Sequence, residues 1–345
     1  MSEVTAMARK PTILDVARAA GVSKGLVSFA LNDRPGVAAG TRQRILDAAD
    51  ELGYRRSIAA RSLSTRTSFA LGLVVARNPD VIAADPFFPG FISGVEQVLA
   101  QRGRALVLSF VPDDEAEAET YRTLAADQRV DGVFLTDLRT DDFRPALLEQ
   151  LGLPAVSLGR VDGGGPMAAV TLDDTPGITD AVRHLAGLGH RRIAHVAGPA
   201  RMLHALHRRD AFLAASAEQG LPGTLVVETD FSAADGAAAT AALLDLDDRP
   251  TAIVYANDPM AIAGLGVAHR RGLDLPTDLS ITGFDDSDIA DYIYPALTSV
   301  RTRPGQWGEA AAATLLQLVD HGAAPDLDLP PAGLVVRNST APPRS

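Results

Sequence analysis

Four apolar runs in the second half of the sequence end on side chains suited to binding: TLDD on Asp173, VYAND on Asn257 and Asp258, ITGFDD on Asp285, and TLVVETDF on Phe231. Arg208 follows the run that closes at Gly198 and opens a helical stretch. Carboxylate, amide, guanidinium and aromatic groups together suit a polyhydroxylated ligand, because each hydroxyl both donates and accepts. Open α/β sheets bind ligands beyond the carboxyl ends of their strands, so these positions predict one cleft. Asp258 is read instead as a helix cap, and Asp173 as shared between capping and the cleft. A second group lies near the start, in TILDVARAAGVSKGLVSFALN, residues 12–32. There Lys24, Gly25, Ser28, Phe29 and Asn32 fall on the outward side of a short helix.

Those outward residues need a platform. Thr12 can cap a helix with Ile13, Val16, Ala17 and Ala20 inward, which Gly21 ends, and Ser23 can cap a second with Leu26, Val27, Ala30 and Leu31 inward. A connection of about three residues forces a steep crossing, the geometry of a helix-turn-helix whose second helix enters the DNA major groove. Thr41 to Leu52 predicts a third helix with Ile45, Leu46, Ala49 and Leu52 inward, stopped by Gly53.

From Phe69 onward, apolar runs of strand length alternate with helical patterns: ALGLVVA, RALVLSFV, DGVFLTD, PAVSLG, AAVTLD, RIAHVAG, TLVVETDF, TAIVYAND, LSITGFDD and LTSVRT. They predict ten or eleven buried parallel strands, too many for one small sheet. Two doubly wound lobes are expected, dividing near residues 160 to 171 and crossing again near Thr302. VDGGGP lacks the strand-to-helix setting of a nucleotide loop and reads as a connection between lobes.

Charge divides the chain in the same way. The net charge is −11, yet the first 67 residues hold eleven Lys and Arg against six Asp and Glu, or +5, which leaves −16 on the remainder. A basic module on an acidic body fits phosphate contact at one end only. No apolar run reaches the ~18 residues of a membrane span, and the first ten residues hold no secretory stretch, so a cytoplasmic protein is expected. The sequence has no cysteine, which excludes thiolate chemistry and disulfides. His204 and His207 read as surface residues or as a border of the cleft, without a carboxylate at metal spacing, and Trp307 as core or subunit interface. No nucleophile elbow stands out, so no catalytic residue, metal or cofactor is expected.

The run Thr12-Ile-Leu-Asp-Val-Ala, Ala-Gly-Val-Ser at 20–23, Val27-Ser28, Leu31-Asn32, Thr41-Arg42, Leu52-Gly53-Tyr54 and Ala60-Arg61-Ser62-Leu63 resembles the signature of the lactose-repressor/galactose-repressor family of bacterial transcription regulators. Leu26 and Arg56 depart from it, standing where the family carries Thr and Pro. The resemblance implies an α/β protein with an N-terminal three-helix helix-turn-helix domain (10–56), a hinge helix and linker (57–67) and a two-lobed, periplasmic-binding-protein-like ligand domain (68–340). Lobe 1 would take about 68–170 and 303–331, lobe 2 about 171–302 and 332–340. It places Lys24, Gly25 and Phe29 at base-reading positions, Ser28 and Asn32 beside them, and Thr12, Ser23, Thr41 and Arg42 at phosphates. Ser57 would cap the hinge helix, with Arg61 at the DNA and Leu63 as a minor-groove wedge. Two turns of helix are too short to be stable alone, so the hinge would form only against a partner hinge and DNA. In the cleft the resemblance implies Phe88, Arg208, Phe231, Asn257 and Asp285, with Asp173 from the strand-end reading.

The expected function is a sequence-specific repressor, binding a pseudo-palindromic double-stranded operator as a homodimer under control of a small effector, a sugar. The competing reading is a sugar-processing enzyme with Asp173 and Asp285 as acid and base. A transport receptor is opposed by the N-terminal module.

Overall fold

The Asp15 carboxylate accepts hydrogen bonds from the backbone N and Oγ1 of Thr12, at 2.9 and 2.7 Å, and so starts the first helix, α1 (Ile13–Ala20). Gly21, at φ 65°, ends it in the left-handed conformation that glycine adopts without penalty. Ser23 Oγ accepts from Leu26 N at the start of α2 (Lys24–Leu31), and α3 (Ala39–Glu51) closes the module. Its core is small: Val16, Ala17, Ala20, Val27, Ala30, Ile45, Ala48 and Ala49. Leu46 and Leu52, expected inward, are 38% and 39% exposed. Ala48 takes the place between Ile45 and Ala49, because the close crossing of three short helices admits a methyl group there.

The computed structural model describes residues 10–55, 67–160, 167–222 and 224–344, and the chain forms two compact units, Met1–Thr67 and Ser68–Ser345. Ser57, Arg61 and Leu63, with Arg56 and the VDGGGP stretch, lie outside the described residues.

The larger unit is built on two six-stranded sheets. In the first lobe β1 (Ala70–Ala76), β2 (Ala105–Val111), β3 (Val133–Leu135), β4 (Ala155–Leu158), β5 (Ala168–Thr171) and β11 (Leu327–Asp328) are ordered β11-β5-β4-β3-β1-β2, all parallel. In the second, β6 (Ile193–Ala197), β7 (Leu225–Glu228), β8 (Ala252–Tyr255), β9 (Ser280–Asp285), β10 (Thr298–Arg301) and β12 (Gly333–Val335) are ordered β12-β10-β9-β8-β6-β7, with only β12 antiparallel. The sequence predicted the central strands as continuous apolar runs, as double burial requires. It missed the short β11 and β12, whose residues show no strand period. β2 and β7, expected buried, are edges, with Leu108 and Phe110 of β2 exposed.

Helices cover both faces: α4 (Pro79–Ala84), α5 (Phe87–Gln101), α6 (Asp114–Ala126), α7 (Arg144–Gln150) and α12 (Pro304–His321) in the first lobe, and α8 (Thr175–Gly187), α9 (Leu203–Glu218), α10 (Ala233–Leu244) and α11 (Asp258–Arg270) in the second. The chain passes between lobes after β5, after β10 and between β11 and β12, where Leu329 N donates to Thr171 O and Ala332 N to Asp173 O. A second link joins the lobes elsewhere: Leu203 N donates to Leu138 O at 2.8 Å and Thr140 N to Arg201 O at 3.0 Å.

α5 and α12 approach closely through glycines. A Cβ on Gly94 would lie 2.0 Å from Gly305 O, and one on Gly308 would lie 2.1 Å from Phe91 O, both rigid backbone. Gly94→Ala must therefore push the helices apart, at a cost of about 1–3 kcal/mol. Urea unfolding of the larger unit should report that loss, and an unchanged midpoint would mean the helices separate freely.

Candidate functional site: a helix face and an interlobe cleft

On the small unit, Lys24 and Gly25 are exposed on the first turn of α2, and Phe29 is 43% exposed with the Arg34 guanidinium 5.8 Å above its ring. Asn32 Nδ2 donates to Ser28 O at 2.6 Å and contacts Ser28 Oγ at 3.3 Å, so these two side chains tie the end of α2. Ser23 is engaged as the cap of α2, Thr12 Oγ1 is held by Asp15, and Thr41 is half-buried in α3. Arg42 donates to Ala30 O at 3.2 Å and Arg34 O at 2.7 Å and pairs with Asp33. It clasps the turn between α2 and α3. Arg44, which pattern reasoning passed over, donates to Ala20 O from another side of α3.

In the larger unit a cavity of about 690 Å³ lies at the carboxyl ends of both sheets. Each sheet reverses direction of strand order between its first and third strands, β1 and β3 or β6 and β8, and doubly wound folds open a crevice at such a point. In the first lobe those strands deliver Arg77 and Asp137. The Arg77 guanidinium pairs with Asp137 and, at 3.1 Å, with Asp85. Burial opposes the charge on Asp137, but Arg77 outweighs it and holds the carboxyl below the usual range. For Asp85 burial prevails over Arg77 and the pKa is raised.

The second lobe contributes Arg208 from α9. Its Nε donates to Asp174 at 2.7 Å, its Nη1 to Ala256 O at 2.8 Å, and its guanidinium carbon lies 3.6 Å from the centroid of the Phe284 ring. Asn257 caps α11 by accepting from Met260 N at 3.0 Å and donates to Phe231 O at 2.9 Å, which holds the Phe231 loop, at φ 73°. Asp173 accepts from Thr175 N at 3.0 Å at the start of α8. Asp285, 9% exposed and at φ 111°, lines the cavity with no side-chain hydrogen bond among the described residues. Burial and then the neighbouring Asp85 push its pKa well above the ordinary carboxylate value.

Residues 12–57 match the bacterial regulatory proteins, lacI family, and residues 182–340 match the periplasmic binding protein-like domain. The HTH-type transcriptional regulator CelR of Thermobifida fusca is 37% identical over 317 residues, 90% of this chain and 92% of the relative. The chain belongs to the LacI family. As a LacI-family protein it is a helix-turn-helix DNA-binding transcription regulator and not an enzyme. Among solved structures, a transcriptional regulator CelR-cellobiose complex is similar with TM-score 0.73 and 33% identity, covering 95% of this chain and 99% of that one. The Lac repressor dimer bound to operator and the anti-inducer ONPF has TM-score 0.84 at 28% identity, covering 96% and 100%.

Of the cleft residues expected in this LacI-family chain, Asp173, Arg208, Phe231, Asn257 and Asp285 line the cavity together. Phe88 does not. It is 2% exposed in the first lobe's core beside Phe91, and Phe87 lines the cavity in its place. Positions 88, 91, 95 and 99 form the sheet-facing stripe of α5, which turns Phe87 toward the opening. Asp258 is neither cap nor cleft residue: its carboxylate receives Ser299 Oγ at 2.6 Å and Ser287 N and Oγ at 2.7 Å. Trp307 also lines the cavity, Nε1 bonded to Val170 O at 3.0 Å and its ring edge-on to Phe87 at 5.7 Å. His204 and His207 line it as well, and the His204 ring stacks on Phe231 at 5.4 Å.

Behind this wall His195 of β6 is fully buried, its Nδ1 bonded to Val254 O at 2.8 Å, and its Nε2 has no partner among the described residues. Burial lowers its pKa to about 4 from 6.5. The unfolded chain therefore binds the proton first as pH falls, so stability is greatest above pH 6.5 and declines from there toward pH 4. Between pH 6.5 and 5 this group accounts for about 2 kcal/mol. His195→Phe should flatten that part of the urea-midpoint profile, and an unaltered slope would assign the acid sensitivity elsewhere.

Proposed function

We propose that the protein is a sugar-responsive repressor that binds its operator as a homodimer. α2 lies in the major groove, with Lys24 donating to a guanine edge and Phe29 contacting a thymine methyl group. Gly25 has no side chain to read with, so DNA shape carries part of the specificity. Thr41, Ser23 and Thr12 face phosphates, and the hinge with Ser57, Arg61 and Leu63 couples DNA occupancy to the lobes.

The observation that carries the sugar reading is the cleft wall, where the two sheets present Asp173 and Asp285, and α9 presents Arg208, to one cavity beside the Phe87 and Trp307 rings. Carboxylates and a guanidinium match hydroxyl edges, and the rings can cover a C–H face. The similarity to a CelR-cellobiose complex supports the same class. Control follows if the sugar binds one lobe arrangement more tightly than the other, since equal affinity shifts nothing.

Thermal unfolding of the full chain against mono- and disaccharides, nucleosides and nucleobases tests the reading. A cognate ligand at 100 times its Kd stabilises by about 2.7 kcal/mol, and the same compound should change operator affinity. A panel in which only a nucleobase stabilises the protein would replace the sugar.

A further inference from the structure

Resting on the reading of this cleft as a sugar site, we infer that its effector is an uncharged glycoside and that the wall excludes phosphorylated and other anionic sugars. A phosphate needs free guanidinium or ammonium groups, or open amides at a helix N-terminus. The wall offers few of either. Its three arginines, Arg77, Arg160 and Arg208, already hold carboxylates. Arg77 lies between Asp85 and Asp137, and Arg208 is committed to Asp174 and Ala256 O with Phe284 against its face. Arg160, the most exposed, pairs with Asp328 at 3.0 Å and approaches Asp326 at 3.6 Å.

Lysine occurs in the sequence only at Lys10 and Lys24, both in the DNA-binding module. Two of the helix starts at the wall are closed by side chains, Asp173 taking Thr175 N at α8 and Asn257 taking Met260 N at α11, and at α9 Leu138 O takes Leu203 N. His204 adds no cation, because burial and then Arg208 lower its pKa to about 3. What the wall presents beyond these pairs is carboxyl groups and not cations: Asp173 and Asp285, one from each lobe's strand ends, with the arginines near Asp285 already paired elsewhere. Both can accept from hydroxyls; Asp173 repels a phosphate, and Asp285, whose ionised form burial disfavours, gives a phosphate nothing to pair with.

The test is titration calorimetry of the full chain with matched pairs: glucose and glucose 6-phosphate, trehalose and trehalose 6-phosphate, cellobiose and cellobionate, maltose and maltobionate, and adenosine and adenosine monophosphate. The neutral member of the pair that binds should be tighter by about 100-fold or more, the scale of like charges placed against each other. Asp173→Asn should narrow that ratio by about tenfold while retaining an acceptor for Thr175 N. An anionic sugar that binds as tightly as its neutral partner overturns the inference and leaves the sugar reading intact. Binding of adenosine alone overturns the sugar reading and upholds the exclusion of anions. Binding of adenosine monophosphate alone overturns both. No binding by any member overturns the glycoside assignment, and a ratio unmoved by Asp173→Asn overturns its electrostatic origin.

Discussion

Asp285→Asn should raise the melting temperature of the ligand-free protein at pH 7.5 by a few degrees while weakening effector binding by about 10- to 100-fold. The two effects share a cause. Asp285 ends β9 in a cavity wall where burial and the charge of Asp85 both disfavour its ionised form, and no described residue donates to it. A carboxylate whose burial Arg208 and Arg77 only partly offset destabilises the fold, and the isosteric amide removes the charge without altering shape. Asparagine also tolerates the positive φ of 111° better than most residues. In the proposed complex the same carboxylate would accept from a sugar hydroxyl, and a bond to a charged acceptor contributes about 1.5–3 kcal/mol. The pH dependence gives a second readout. Because the folded-state pKa is raised, the folded protein holds this proton more tightly than the unfolded chain. Wild-type stability attributable to this group is complete below the unfolded value near 3.8 and is lost as pH rises through the folded value. The melting advantage of the variant should thus shrink on acidification, opposite in sign to the effect of His195. Equal melting temperatures at neutral pH would show that the carboxylate is compensated, and unaltered affinity would remove it from the binding surface.

The sequence showed this position because β9 is a continuous apolar run ending in charge, and the same rule revealed Asp173 and Asn257. Arg77 and Asp137 obey the rule equally, following β1 and β3, but their meaning appears only when sixty residues of intervening chain bring them together. Asp85 and Trp307 are less accessible to such reading, since each lies on a connection or helix whose direction depends on how α5 and α12 pack. Phe87 and Phe88 show the limit most sharply: adjacent and identical, they are separated by one step of helical register. The helix-turn-helix was legible for the converse reason. Caps, apolar spacing and the short turn are all local, and only Leu46 and Leu52 depended on how tightly the three helices cross.

Val27→Asp should abolish operator binding, by more than 100-fold, and leave effector affinity and the melting of the larger unit unchanged. Val27 is fully buried in α2, in a core where Val16 and Ile45 are the other two large, fully buried side chains and the remaining buried members are alanines. So small a core leaves a stability of a few kcal/mol, which the desolvation of a new carboxylate exceeds. α2 would then lose the α1 and α3 contacts that fix its exposed face. Residues Ser68–Ser345 form their own compact unit with separate cores in each lobe, and the cleft wall draws on that unit alone. Operator binding by gel shift and sugar binding by calorimetry, made on one preparation, separate the two consequences. A loss of sugar affinity parallel to the loss of DNA binding would show that the cleft depends on the folded N-terminal module. Retained operator binding would show that α2 is not the element that reads DNA.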